Sequence, residues 1–166
     1  HQFENHYGIR LLQFYGASEG GWLCGNRHDK FRVGTAGPPA RHMDLAIVNS
    51  DGSVCAIGEE GEITIRGAQT ATAGMTADGI WEDRTSFRLY ERTRVGDLGV
   101  LDEDGFVTVT GRIKDVILRG GVSIAPLEID AAVMTHPDVH EAAVIGVADP
   151  IWGEEIACYV VLAGPG

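Results

Sequence analysis

Phe106-Val107-Thr108-Val109-Thr110-Gly111-Arg112-Ile113-Lys114-Asp115-Val116-Ile117-Leu118-Arg119-Gly120-Gly121 carries two patterns with a seam between them. Residues 106–110 alternate apolar and polar, the period of a strand with one buried face. Arg112, Lys114, Asp115 and Arg119 then place four charges within eight residues, which suits an exposed hinge. Residues 115–119 read as a short strand that Gly120-Gly121 ends.

Upstream, residues 33–110 read as a β-rich region with tight hairpins. Residues 45–48 and 62–66 are strand-like, and Asp51-Gly52, Glu60-Gly61 and Asp78-Gly79 supply turns. Asp102-Glu103-Asp104-Gly105 is the clearest turn, with Val100-Leu101 before it and Phe106-Val107 after it. Residues 70–94 read as an irregular loop with one short helix or strand. Downstream, residues 123–130 open a helix with Pro126 in its first turn, where the missing N–H costs nothing. Leu127, Ile129, Val133 and Met134 are its expected buried stripe, and His136-Pro137 stops it. Residues 141–147 and 155–162 read as strands about the turn Asp149-Pro150. The fold class is therefore α+β: a β-rich subdomain with hairpins, then a small, truncated α+β unit in the order β, α, β, β. About 50 residues is marginal for an independent core.

The chain has 166 residues, 44% of them hydrophobic and 22% charged, with a formal net charge of -11. That is globular composition. So acidic a chain is a poor match for nucleic-acid phosphate or an anionic membrane surface. A mean hydropathy of -0.01 accompanies the lack of any apolar run of the roughly 20 residues a span needs. Cys24, Cys55 and Cys158 form no zinc-ligand spacing, and an odd, sparse count suits a reducing cytoplasm. The histidines pair with no Ser or Cys nucleophile, so a hydrolase gains no support. The first residue is His1 and the last is Gly166 in a turn-like Ala163-Gly164-Pro165-Gly166, so both ends read as cuts.

Three segments could carry chemistry. Leu12-Gln13-Phe14-Tyr15-Gly16-Ala17-Ser18-Glu19-Gly20-Gly21 reads as a strand running into an open, Gly-rich turn. There Tyr15 offers a face for a ring, Ser18 a donor for phosphate and Glu19 a hard oxygen for Mg²⁺. The plainer reading is a Gly-rich surface loop. In Arg94-Val95-Gly96-Asp97-Leu98-Gly99, Asp97 has little shielding and can accept two hydrogen bonds from a vicinal diol such as ribose. The plainer reading is a turn Asp capping local N–H groups. At the seam, Arg112 can donate a planar fork to ribose or phosphate, or it is one charge of a solvated linker.

Together the three segments resemble the adenylate-forming (AMP-binding) superfamily, and acyl-CoA synthetases in particular. Tyr15-Gly16-Ala17-Ser18-Glu19 is similar to the family's Tyr-Gly-x-Thr-Glu motif, with Ser for Thr. Val95-Gly96-Asp97 is similar to its Thr-Gly-Asp motif, with Val for Thr. Residues 111–121 resemble its hinge motif, and residues 124–129 the usual Ile-x-Pro-x-Glu-Ile continuation. His136-Pro137-Asp138-Val139, residues 144–149 and Trp152-Gly153-Glu154 also match its acyl-CoA synthetases.

The resemblance implies that residues 1–112 are the C-terminal part of the large AMP-binding domain and 113–166 an incomplete small C-terminal domain. It implies a nucleotide site made by Tyr15, Gly16, Ser18, Glu19, Asp97 and Arg112: Tyr15 on adenine, Ser18 on phosphate, Glu19 on Mg²⁺, Asp97 on the ribose hydroxyls. Lys114 is the implied hinge, and Gly120 and Gly121 would approach the pantetheine arm of CoA. Val122-Ser123 replaces the commoner Glu-Asn beside them. ATP, Mg²⁺, CoA and a small carboxylic acid are the implied cofactor and substrates. Gly20, Gly21, Trp22 and Leu23 are the residues here that could line an acyl pocket. The family's phosphate loop and catalytic Lys are not among these residues, since the lysines are Lys30 and Lys114. No catalytic set is complete, so the chain alone is expected to be inactive. A peptide-synthetase adenylation domain and a non-catalytic binding module are the alternatives.

Overall fold

The computed structural model describes residues 2–71, 74–76, 79–81, 88–89 and 92–164. The chain divides into two units, His1–Val109 and Thr110–Gly166.

The first unit opens with a short helix, α1 (Gln2–Tyr7), and a hairpin, β1 (Phe14–Ala17) with β2 (Gly21–Gly25). Its main sheet is antiparallel: β3 (Asp44–Val48), β4 (Glu60–Arg66), then β8 (Arg92–Leu101), which pairs with both β7 (Arg88–Leu89) and β9 (Val107–Arg112). A separate two-stranded ribbon joins β5 (Gly74–Thr76) to β6 (Gly79–Trp81). Residues 70–94 are thus more regular than an irregular loop, because their described parts hold three short strands. The side chains of Trp81 and Leu89, and all of Phe87 and Tyr90, lie outside the described residues.

Residues 36–40 tie the hairpin to the sheet. Ala40 N–H donates to the Leu23 carbonyl at 2.8 Å, and Ala36 N–H donates to the Val107 carbonyl at 2.8 Å. Gly37 makes this possible: its φ is +90°, and a Cβ there would stand 2.2 Å from the Gly25 carbonyl carbon. Leu23, Cys24, Met43, Ile47, Ile63, Ile65 and Val107 form the core around this junction.

β4 departs from the one-sided burial that its alternation suggests. Ile63, Thr64 and Ile65 are all 0% exposed. Thr64 avoids an orphan hydroxyl by donating to the Ala46 carbonyl at 3.1 Å and accepting from Arg92 Nε at 3.0 Å. Charged pairs close the same face. Arg92 holds Asp44, and Arg94 Nε lies 2.8 Å from both oxygens of Glu62. The arginine hydrogen bonds hold the Asp44 carboxyl below its usual range. A strand can therefore be buried on both faces while half its side chains are polar.

The turn between β8 and β9 forms as its residues suggest. Asp102 Oδ1 accepts the N–H groups of Asp104 at 3.0 Å and Phe106 at 2.8 Å, with Gly105 at φ +76°. Arg32 pairs with Asp102 and Asp104, and its Cζ lies 4.3 Å from the centre of the Phe106 ring.

The second unit takes up β9 at its end, turns through a 3₁₀ segment (Ile113–Asp115), and builds one antiparallel sheet. Its order is β11 (Val122–Ile124), β10 (Ile117–Arg119), β13 (Gly153–Leu162), β12 (Val139–Asp149). The helix α2 (Pro126–Val133) packs against β12. Here the sequence reading needs two corrections. Residues 123–125 do not open the helix. Gly120 and Gly121 have φ of +57° and +84°, which the two-residue hairpin turn requires, so 122–124 fold back on β10. Nor is the expected helix stripe buried: Leu127 is 53% and Met134 49% exposed, while Ile129 and Val133 are half-buried. At about 100° per residue, Ile129 and Val133 share one side and Leu127 and Met134 point roughly opposite. Among the described residues no helix is long and apolar enough to cross a membrane.

Candidate functional site

The candidate site starts at the β1–β2 hairpin. Its first strand runs to Ala17, and the turn that follows is residues 18–20. Glycine is required within it. A Cβ on Gly16 would lie 2.6 Å from the Gly21 carbonyl oxygen, and one on Gly20 2.3 Å from the Ile65 Cδ1. Two partners distant in sequence pin the turn. Gln69 Nε2 donates to the Gly20 carbonyl at 2.5 Å, and Ala71 N–H donates to the Glu19 carbonyl at 2.7 Å. Gln69 carries no local signal, because the contact spans 49 residues.

Asp97 is not the exposed turn residue its two flanking glycines suggest. It sits inside β8 and is 7% exposed. The register explains this: Glu62 pairs with Leu98 but Thr64 with Arg94, so residues 95–97 bulge opposite Ile63. Gly96, at φ +77°, allows the bulge. The bulge delivers Asp97 to the hairpin, where the Tyr15 hydroxyl donates to Asp97 Oδ2 at 2.5 Å. Burial raises the Tyr15 pKa far above that of a free phenol, and the Asp97 carboxylate adds to the shift. Tyr15 is therefore a protonated donor throughout the physiological range.

Around this pair, Ser18 is exposed and Glu19 half-buried. Among the described residues no three His, Cys, Asp or Glu side chains converge to hold a metal. A single carboxylate such as Glu19 fits a Mg²⁺ whose other ligands are phosphate and water, rather than a protein-built cage. The proposed acyl lining is corrected in part. Leu23 is 0% exposed in the core and Gly20 is buried, so neither faces a pocket. Trp22 folds over its own strand, donating Nε1 to the Cys24 carbonyl at 2.6 Å and covering Gly25. Burial pushes the Cys24 thiol up to about 12, so it is not a nucleophile at neutral pH.

Arg112, Lys114, Gly120 and Gly121 belong to the second unit. Arg112 ends β9 and Lys114 lies in the 3₁₀ segment, both exposed. The Gly-Gly turn is held by residues the sequence reading did not assign to it. Gly120 N–H donates to the Trp152 carbonyl at 2.8 Å, and a Cβ on Gly120 would lie 2.9 Å from the indole. Arg119 stacks on that indole at 4.9 Å and grips Glu155 through bonds of 2.7 and 2.9 Å. Leu118 N–H donates to Glu154 Oε2 at 2.6 Å.

Comparison with known proteins adds an independent line. The AMP-binding enzyme family model matches residues 1–73, and the AMP-binding enzyme C-terminal domain model matches residues 128–166. The chain is 34% identical over 169 residues to a mitochondrial acyl-coenzyme A synthetase of Rattus norvegicus, covering 99% of this chain and 29% of the relative. It is 37% identical over 163 residues to the sulfoacetate–CoA ligase of Cupriavidus necator, covering 96% and 31%. Among solved structures, ATP-bound MatB from Rhodopseudomonas palustris matches with a TM-score of 0.85 at 29% identity, covering 99% of this chain and 33% of that one. The o-succinylbenzoate CoA synthetase of Bacillus subtilis with its acyl-adenylate gives a TM-score of 0.79 at 29% identity, covering 99% and 34%. The chain thus spans about three tenths of the length of these curated relatives.

Proposed function

We propose, for a chain that belongs to the adenylate-forming (AMP-binding) superfamily, that it holds the nucleoside in an ATP-dependent acid–thiol ligase of the acyl-CoA synthetase type. The single observation that carries this reading is the meeting of Tyr15 with Asp97, two residues singled out separately and 82 positions apart.

In the whole enzyme two steps would follow each other. A carboxylate oxygen attacks the α-phosphorus of ATP, the bond to pyrophosphate breaks, and an acyl-adenylate forms. The CoA thiol, losing its proton, then attacks the acyl carbon and AMP departs. Charge develops on phosphate oxygens in both steps, so orientation and electrostatic stabilisation dominate. In this reading Tyr15 stacks on the adenine and Asp97 accepts from the ribose hydroxyls. Ser18 reaches phosphate, and Arg112 reaches ribose or phosphate. Glu19 would ligate Mg²⁺, which supplies charge neutralisation to the phosphates. Residues 1–112 are read as the end of the large domain and 113–166 as part of the small one. Lys114 serves as the hinge between the half-reactions, and Gly120-Gly121 lets the pantetheine arm pass. The relatives are CoA ligases, which favours CoA over a carrier protein as acceptor.

Titration of the 166-residue chain with AMP, Mg·ATP and inorganic triphosphate, followed by NMR, tests the reading. Weak binding of the two nucleotides, lost in Asp97→Ala, with weaker binding of triphosphate, is expected. Equal binding of triphosphate and ATP would sink the nucleoside site. No pyrophosphate exchange is expected from this chain, whose lysines are Lys30 and Lys114.

A further inference from the structure

We propose that the Tyr15 hydroxyl is the positioning group for Asp97, holding its carboxylate in the orientation that meets a ribose diol. One side chain would then serve the base with its ring and the sugar through its oxygen. The inference rests on the nucleotide reading above and deepens it.

Two irregularities in the first unit meet at this hydrogen bond. The β1–β2 ladder slips between Tyr15 and Gly16, and the β4–β8 ladder slips between Glu62 and Thr64. Each bulge re-aims a side chain. A bulge also loosens local pairing, so the β4 ladder holds the backbone at Asp97 less than it holds the rest of β8. Tyr15, from a hairpin pinned by Gln69 and Ala71, supplies a fixed point outside that ladder. Its hydroxyl reaches Oδ2 at 2.5 Å, and Asp97 is 7% exposed. A bond from a neutral phenol to a buried carboxylate is charge-assisted and strongly directional. It restricts the rotation of a carboxylate that would have to face two ribose hydroxyls at once. Burial keeps the phenol protonated, so the donor is never lost near neutral pH.

Tyr15→Phe separates the two roles, because it keeps the ring and removes the donor. The probes are AMP and 2′,3′-dideoxy-AMP, which lacks the diol, titrated by NMR into the 166-residue chain, Tyr15→Phe, Asp97→Asn and the double variant. Tyr15→Phe is expected to weaken AMP about tenfold and to change dideoxy-AMP less than about twofold. The double variant is expected to bind AMP no more weakly than Asp97→Asn alone. Equal weakening of both probes, unchanged AMP affinity, or multiplying effects in the double variant would each overturn the proposal. Failure of the unsubstituted chain to bind AMP would instead overturn the nucleotide reading, and this inference with it. A ligand-free measurement tests the bond itself. With the tyrosines labelled at the phenolic carbon, Asp97→Ala should move the Tyr15 phenolic-carbon resonance at neutral pH, because the hydroxyl loses its acceptor. An unmoved resonance would show that the bond is not made.

Discussion

The main sheets of the two units are both antiparallel, yet they treat their faces in opposite ways. In the first unit Ile63, Thr64 and Ile65 are successive residues of β4, and all are 0% exposed. In the second, Val144 is 6% exposed while its neighbour Ile145 is 46%, and Tyr159 and Val161 on the same face are 62% and 52%. α2 packs against β12, and among the described residues the face that carries Ile145, Tyr159 and Val161 is exposed. Polar chemistry makes the difference. On β4 the second face is closed by Thr64 and by the Arg92–Asp44 and Arg94–Glu62 pairs, each with partners for its polar atoms. Two-sided burial therefore depends on satisfied polar side chains as much as on apolar ones.

Core truncation sharpens this contrast most. Ile65→Ala should destabilise the first unit by about 2–5 kcal/mol, whereas Ile145→Ala should cost less than about 1 kcal/mol. Urea unfolding followed separately in each unit by NMR measures both. Similar losses at the two positions would mean that the open face of the second sheet is covered in solution.

A smaller effect is expected at the Gly-Gly turn. Gly120→Ala must adopt φ near +57° and meets the Trp152 indole, whereas Gly121→Ala, at +84°, meets no neighbouring atom. Left-handed backbone costs roughly 1–2 kcal/mol at either position, so the larger loss at Gly120 isolates the indole contact. Equal losses would show that Trp152 does not hold the turn.

Acid should produce the smallest effect. The Asp44 pKa is lowered in the folded state, chiefly by hydrogen bonding to Arg92. Its contribution is present above the unfolded carboxylate value near 4 and is lost as pH falls through the lower native value. Asp44 is 48% exposed, so the contribution stays below about 1 kcal/mol. Asp44→Asn should flatten the stability-versus-pH curve of the first unit below about pH 4. An unchanged acid slope would remove Asp44 from the seal on that face.

Local chemistry made much of this legible. The Asp102–Gly105 turn needs only an Asp side chain and a glycine, so four residues sufficed to read it. Tyr15 stood out as an aromatic beside Gly16, and Asp97 as a carboxylate between Gly96 and Gly99. Other features misled for equally local reasons. Asp97 between glycines looks like a turn, because a bulge is defined by the partner strand and not by the strand that carries it. Gly120-Gly121 looks like a stop, because a hairpin is visible only once the next strand finds its partner. Leu127, Ile129, Val133 and Met134 look like one stripe until their angles around a helix are counted.

By itself the sequence determined the strands within 45–48, 62–66, 107–110, 117–119, 141–147 and 155–162, the turns at Asp102–Gly105 and Asp149-Pro150, and the residue types of the candidate site, because strand period and turn chemistry act within a few residues. Tertiary structure decided which residues meet. The Tyr15–Asp97 bond requires the β4–β8 register, the bulge it contains and the 36–40 bridge to the hairpin. Each of these is a pairing between distant segments, set by the packing of Leu23, Ile63, Ile65 and Val107 rather than by the preference of any one segment.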